Sequence, residues 1–240
     1  MPGFFCWNYM LTFHDAVAKK FNEGWQHSKP KPTIHNIFYV AYSGSGLTHL
    51  GRFNDYRYAL IKLLKCLNSS DHWLDSNKVG NTQMMFHGTK RACSIADNPR
   101  NVMCCTKSDC NLCCILRGSY NMERAKGGEF PIFTLSFLYL FGRFLSSLAR
   151  MFGPGIYSSL VSSKADIYSI NANSSVRNRV MIVNQVSLGR TKTMFEASHD
   201  MQHAPHLYNS VSQINHKTNF SCSFFFQHRL LQRHFRTEAK

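Results

Sequence analysis

Apolar residues recur at helical spacing early in the chain and at strand spacing later, and this change of period limits the fold more than any other feature. Across residues 11–26, Leu11, Phe13, Ala16, Val17 and Phe21 mark one face of an amphipathic helix. Lys29-Pro30-Lys31-Pro32 ends it, because each proline removes a backbone donor and fixes φ. Ile34–Tyr42 then reads as a strand, Ser43–Gly51 as a glycine-bearing loop and Tyr56–Leu67 as a second helix. Met84-Met85-Phe86 is a short apolar strand, cysteine-rich sequence runs to Cys114, and a helix-like segment continues to Arg124. Val180–Leu188 carries the strongest strand pattern and is closed by Gly189. Early helices followed by short strands predict an α+β domain rather than a βαβ alternation.

A chain of 240 residues with 44% apolar content can bury one proper core, which excludes wholesale disorder. Its formal charge of +15 reflects 28 basic residues against only 13 carboxylates. That balance favours anionic partners such as nucleic acid, anionic lipid or a pyrophosphate. The densest basic groups are Lys19-Lys20, Lys29 with Lys31, and Arg229, Arg233 and Arg236. None forms a stripe with interleaved aromatics, so a basic surface is preferred to a dedicated nucleic-acid site. Met1–Met10 lacks the basic start and apolar core of a signal peptide, and a cytoplasmic or nuclear setting is expected. Thiols stay reduced there, so the nine cysteines are read for metal binding or packing before disulfides.

Ser43-Gly-Ser-Gly has neither the spacing of a dinucleotide fingerprint nor the Gly-Lys-Ser/Thr of a phosphate loop, and is read as a turn. His87-Gly88-Thr89 is a weak signal alone and gains weight from motifs farther along the chain. Phe152-Gly-Pro-Gly-Ile-Tyr157 leads to Ser162-Ser-Lys-Ala-Asp-Ile-Tyr168, then to the strand Val180–Leu188 and to Tyr208-Asn-Ser-Val211. This succession resembles the catalytic domain of the poly(ADP-ribose) polymerase family. It is most like the small polymerase-like members of fungi and related eukaryotes. The resemblance spans 12–126 loosely and 151–211 well. It implies an ADP-ribosyltransferase-type antiparallel sheet with N-terminal helices, and NAD as substrate.

The resemblance also implies roles. His87 would hydrogen-bond the ribose on the nicotinamide side, which suits a neutral imidazole. Gly88 would let its backbone approach the nicotinamide amide, with Thr89 completing the motif. Tyr168 would stack on the nicotinamide ring, and Tyr157 matches the tyrosine of the family's His–Tyr–Glu set, lining the other side. His87 and Tyr157 are thus the expected catalytic residues. Ala165 stands where several members have a serine. Active polymerases place a glutamate on a strand beyond the YxSV loop, where it stabilises developing charge. After Tyr168 the chain has only Glu196, Asp200 and Glu238 as carboxylates, and none fits that place.

Cys93, Cys105, Cys110 and Cys113 read C-x11-C-x4-C-x2-C, with Cys104 and Cys114 beside them. Four thiolates can close a tetrahedral zinc site, and cysteines in this region recur in the members the chain resembles. A structural zinc and simple packing of reduced thiols both fit the spacing.

Two segments depart from the family plan. Phe130–Leu148 is almost wholly apolar and carries one charge, Arg143. Its length approaches a membrane span, yet Arg143 and Gly142 oppose insertion and a span would cut the domain in two. Gly127–Arg150 is therefore read as an insertion in a domain covering 1–211, with 212–240 as a tail foreign to the family. Both segments have the character of retained intron or mis-spliced sequence. The expected function is transfer of ADP-ribose from NAD to a protein or other acceptor, one unit at a time; the alternative is an inactive NAD-binding or zinc-stabilised interaction module. The acceptor is a protein or nucleic acid of unspecified identity, and a membrane partner is not expected.

Overall fold

A computed structural model describes residues 4–5, 11–41, 45–66, 79–126, 152–173, 176, 178–213 and 223–226. The helices among them are α1 (Leu11–Glu23), α2 (Ser45–Cys66), α3 (Asn111–Gly118), α4 (Met122–Lys126) and α5 (Ser162–Asp166). The strands are β1 (Phe4–Phe5), β2 (Tyr39–Val40), β3 (Thr82–Gly88), β4 (Ile156–Ser159), β5 (Met181–Ser187), β6 (Thr191–Met194), β7 (Ser210–Gln213) and β8 (Ser223–Phe226).

Six strands form one sheet in the order β5-β3-β4-β8-β7-β6. Every pairing is antiparallel except β6 with β7. With the helices ahead of it, this is the α+β architecture that the change of period implies. The longest ladder joins β3 to β5, from Thr82 opposite Ser187 to Gly88 opposite Met181. His87 therefore lies opposite Ile182 and Met85 opposite Asn184.

The first helix packs on the β3 side of the sheet through Phe21, whose ring meets Phe86 edge-on at 6.1 Å. Phe86 is buried, and an aromatic side chain taken fully from water contributes about 1.5–3 kcal/mol. Gly24 follows the helix where a Cβ would stand 2.9 Å from both the Leu160 carbonyl and the Ser162 amide. That close approach lets Ser162 Oγ donate to the Phe21 carbonyl at 2.7 Å, while the Gln26 amide donates to Ser163 Oγ at 3.1 Å. The two serines of the Ser-Ser-Lys motif thus dock α1 on α5.

Two expectations are corrected. Among the described residues of the segment 34–42 only Tyr39–Val40 is a strand, paired with Phe4–Phe5 of β1. Tyr39 is half-exposed there, so strand propensity alone does not bring the segment into the main sheet. The second helix starts at Ser45, not Tyr56, and takes up most of the expected glycine-bearing loop. A Cβ at Gly51 would meet nothing within 4 Å, so this glycine is a helix position that lies in open space.

The chain beyond Val211 also contributes to the sheet, through Ser223–Phe226. The fourth-placed strand, β8, pairs with β4 from Ile156–Phe226 to Ser159–Ser223, and with β7 on its other side. It fills what would be an open edge on both neighbours. Residues 127–150, expected as an insertion, lie outside the described residues.

Candidate nicotinamide site and four-cysteine cluster

The penultimate residue of β3 is His87, and its Nδ1 lies 2.7 Å from the carbonyl oxygen of Tyr157 in β4. A carbonyl only accepts, so Nδ1 carries the proton and Nε2 is left as an acceptor. Burial lowers the His87 pKa from its ordinary 6.5, and the Tyr157 carbonyl opposes this without reversing it. The imidazole is therefore neutral at physiological pH. Tyr120, between α3 and α4, stands edge-on to the ring with centroids 5.0 Å apart. Its hydroxyl accepts a 2.6 Å hydrogen bond from Asn184 Nδ2, a bond that reaches from the middle of β5.

Gly88 and Tyr168 meet at one atom. A Cβ on Gly88 would stand 1.9 Å from the carbonyl oxygen of Ala165, in α5. The same oxygen accepts the Tyr168 amide at 3.1 Å and the Ser169 hydroxyl at 3.3 Å. The absence of a side chain at Gly88 is thus what lets α5 bring Tyr168 against the end of β3. The Tyr168 side chain is 40% exposed, and partial burial raises its pKa. Thr89 comes directly after the strand ends and is half-buried.

The Tyr157 side chain is held within its own turn. Its hydroxyl donates to the Gly153 carbonyl at 2.7 Å and accepts from the Phe152 amide at 3.1 Å. Its ring packs against the buried pair Phe152 and Val211. The hydroxyl closes its own GxGIY turn, and Tyr157 reaches His87 through its backbone. Gly153 adopts φ +69°, and a Cβ there would stand 1.9 Å from the Met201 carbonyl.

The four cysteines singled out by spacing come together. One sulfur from each of Cys93, Cys105, Cys110 and Cys113 lies within 4.8 Å of the others, with Cys93 3.5 Å from Cys113 and 3.6 Å from Cys110. Zinc–sulfur bonds of about 2.3 Å in a tetrahedron separate sulfurs by about 3.8 Å, so the donor set fits a zinc ion in chemistry and size. Burial pushes the Cys93 and Cys105 thiols up, so their thiolate forms need a cation beside them. Cys110 and Cys113 are fully buried with Ile95 and Leu112, and Val180 and Ile182 pack on this cluster. The cysteine cluster therefore sits against Ile182, the cross-strand neighbour of His87.

Three residues in this region carry no motif. Tyr120 and Asn184 orient the surroundings of the His87 ring, and Arg91 is 2% exposed. An arginine two places after His-Gly-Thr has nothing in its sequence neighbourhood to mark it as buried. Only its tertiary partners do: it forms an ion pair with Asp97 at 2.6 Å and further hydrogen bonds along the loop after Tyr168.

The strand beyond the YxSV loop, β8, reads Ser-Phe-Phe-Phe and holds no carboxylate. Glu196 and Asp200 lie exposed in the connection between β6 and β7, where Asp200 accepts from Ser198 Oγ at 3.0 Å. Glu238 lies outside the described residues.

Residues 143–229 match the family model described as poly(ADP-ribose) polymerase catalytic domain. Over these residues the chain is similar to that family. The polymerase match takes in the GxGIY turn, Tyr168, β5, β7 and β8, and it extends from within the apolar segment well into the chain beyond Val211. It begins after His87 and the cysteines, whose assignment rests on their geometry. No curated protein matches the chain. Among the described residues no helix is long and apolar enough to cross a membrane; the segment 130–148 lies outside them.

Proposed function

We propose that this polymerase-family domain binds NAD by its nicotinamide half and transfers a single ADP-ribose unit to a protein or nucleic-acid acceptor, releasing nicotinamide. The observation that carries this reading is the meeting of Gly88 and Tyr168 at the Ala165 carbonyl, beside a His87 whose tautomer is fixed by Tyr157. Neutral His87 accepts a ribose hydroxyl at Nε2, and the Tyr168 ring offers a face for the nicotinamide. The bond from ribose C1 to the nicotinamide nitrogen breaks through an oxocarbenium-like state, and the acceptor nucleophile forms the new bond at C1. His87 and Tyr168 position the sugar and the leaving ring. A zinc ion held by Cys93, Cys105, Cys110 and Cys113 is structural, since four protein ligands leave no open position. The net charge of +15 favours an anionic acceptor, and reduced thiols suit a cytoplasmic or nuclear setting.

The absence of a carboxylate on β8 favours a second reading, an NAD-binding module without turnover. Incubation with biotin-labelled NAD, alongside calorimetric titration with NAD, separates the two. Label on acceptor protein or on the chain itself supports transfer. NAD binding without label supports the module, and no NAD binding at all would sink both.

A further inference from the structure

Only Lys90, Arg91 and Ala92 separate the His-Gly-Thr motif from the first clustered cysteine, and they are tied to two different parts of the domain. The Lys90 carbonyl accepts the amide of Leu112, which lies between Cys110 and Cys113, at 3.0 Å. The Ala92 amide donates to Cys110 Sγ at 3.3 Å. Arg91 faces the other way. Its amide donates to the Ile170 carbonyl and its carbonyl accepts the Ala172 amide, both at 2.8 Å, which makes a parallel bridge to Asn171, three residues past Tyr168. Its side chain grips both regions. Nε donates to Asn171 Oδ1 at 3.0 Å and one terminal nitrogen to the Asn178 carbonyl at 2.6 Å. The other terminal nitrogen donates to Asp97 Oδ1 and to the carbonyl of Ile95, a residue of the core around Cys110 and Cys113.

We infer that Arg91 is a positioning residue that couples the four-cysteine site to the Tyr168 loop, so that a divalent metal at the cysteines sets where Tyr168 stands. This rests on the proposed reading of both sites. The physical ground is that a guanidinium offers donors in one fixed plane, and a buried one must keep all of them paired. Asn171 and Asn178 cannot shift relative to Ile95 and Asp97 without unpairing a buried charge. A metal that holds Cys93 and Cys110 fixes Ala92, and with it the backbone of Arg91, from the opposite side. A purely structural Arg91 would hold the loop equally well whether or not metal is bound.

Hydrogen exchange read by mass spectrometry on the full chain, zinc-loaded and after chelation, tests the coupling. Chelation should raise exchange over 167–173 by about tenfold while β3 stays protected, and zinc should restore it. NAD affinity should fall by a similar factor in the same samples. Arg91→Lys should still give the thiolate absorption bands of bound cobalt, with exchange over 167–173 already high and indifferent to metal. Asp97→Asn, which keeps the arginine, should show the same loss in weaker form. Wild-type exchange over 167–173 that ignores bound metal overturns the coupling, as does a rise spread equally over β3 and β5. A wild type that binds no metal overturns it together with the reading of the cysteines. Bound metal and metal-dependent exchange without NAD binding would leave the coupling standing and remove the proposed function.

Discussion

His87 Nδ1 donates to the carbonyl oxygen of Tyr157 across 2.7 Å, so the side chain of one motif is oriented by the backbone of the other. The two signatures, 70 residues apart, are joined by a bond to which the tyrosine hydroxyl makes no contribution. The consequences differ residue by residue.

Burial keeps the His87 pKa below 6.5, so between that lowered value and 6.5 the unfolded chain binds a proton that the folded chain refuses. Stability should rise with pH across this window. The contribution is complete above about pH 6.5 and is lost as pH falls towards the folded value. Urea unfolding at about pH 7.5 and about pH 5 should show a larger loss in the wild type than in His87→Gln. Equal losses would contradict the buried neutral imidazole.

Tyr157→Phe should destabilise the domain by about 1–3 kcal/mol, because the Gly153 carbonyl and the Phe152 amide both lose their partner. NAD affinity measured on the folded fraction should change little. A variant of full stability that no longer binds NAD would show that the hydroxyl serves the ligand instead.

Tyr168→Ala should do the reverse. Tyr168 is 40% exposed, so its loss should lower the urea midpoint less than loss of a fully buried aromatic would. Aromatic stacking beyond simple burial amounts to about 0.5–1.5 kcal/mol, and losing it along with the contact area should weaken NAD binding by at least about tenfold in calorimetry. Unaltered NAD affinity would remove Tyr168 from the nicotinamide site.

Gly88→Ala should be among the most damaging single changes. The added methyl would stand 1.9 Å from the Ala165 carbonyl, where backbone rather than a pliable side chain must yield. A loss of about 3 kcal/mol or more in chemical denaturation is expected, in the range of severe core overpacking. A normal denaturation curve would show that α5 does not press on β3.

Cys110→Ser or Cys113→Ser should abolish stoichiometric zinc binding, measured by mass spectrometry under native conditions, and lower the thermal midpoint. Cys114→Ser should retain the zinc, because Cys114 donates to the carbonyls of Lys107 and Ser108 and lies outside the four-sulfur set. Zinc lost equally from all three variants would refute the assignment of ligands.

Much of the candidate site was legible because its residues fall in short motifs. His87 at the end of an apolar strand, the two tyrosines eleven positions apart and the Cys110–Cys113 pair were visible as residue types at set spacings. Arg91, Tyr120 and Asn184 were not, since each acts through partners distant in the chain, such as Asn184 reaching Tyr120 across 64 positions. The strand at Ser223–Phe226 escaped for another reason: four residues without alternation carry no period, and their register comes entirely from β4 and β7.

Periodicity and ligand spacing are local properties, which is why the α+β class, the two longest strands and the identity of the four sulfurs can be read along the chain. Which groups face one another was set by the packing of distant segments. That packing turned Tyr157's hydroxyl back into its own turn, set Gly88 against Ala165 and buried Arg91 between the cysteines and the Tyr168 loop. Each of these placements comes from satisfying a buried polar group or from a close backbone approach, and neither requirement exists until distant segments meet.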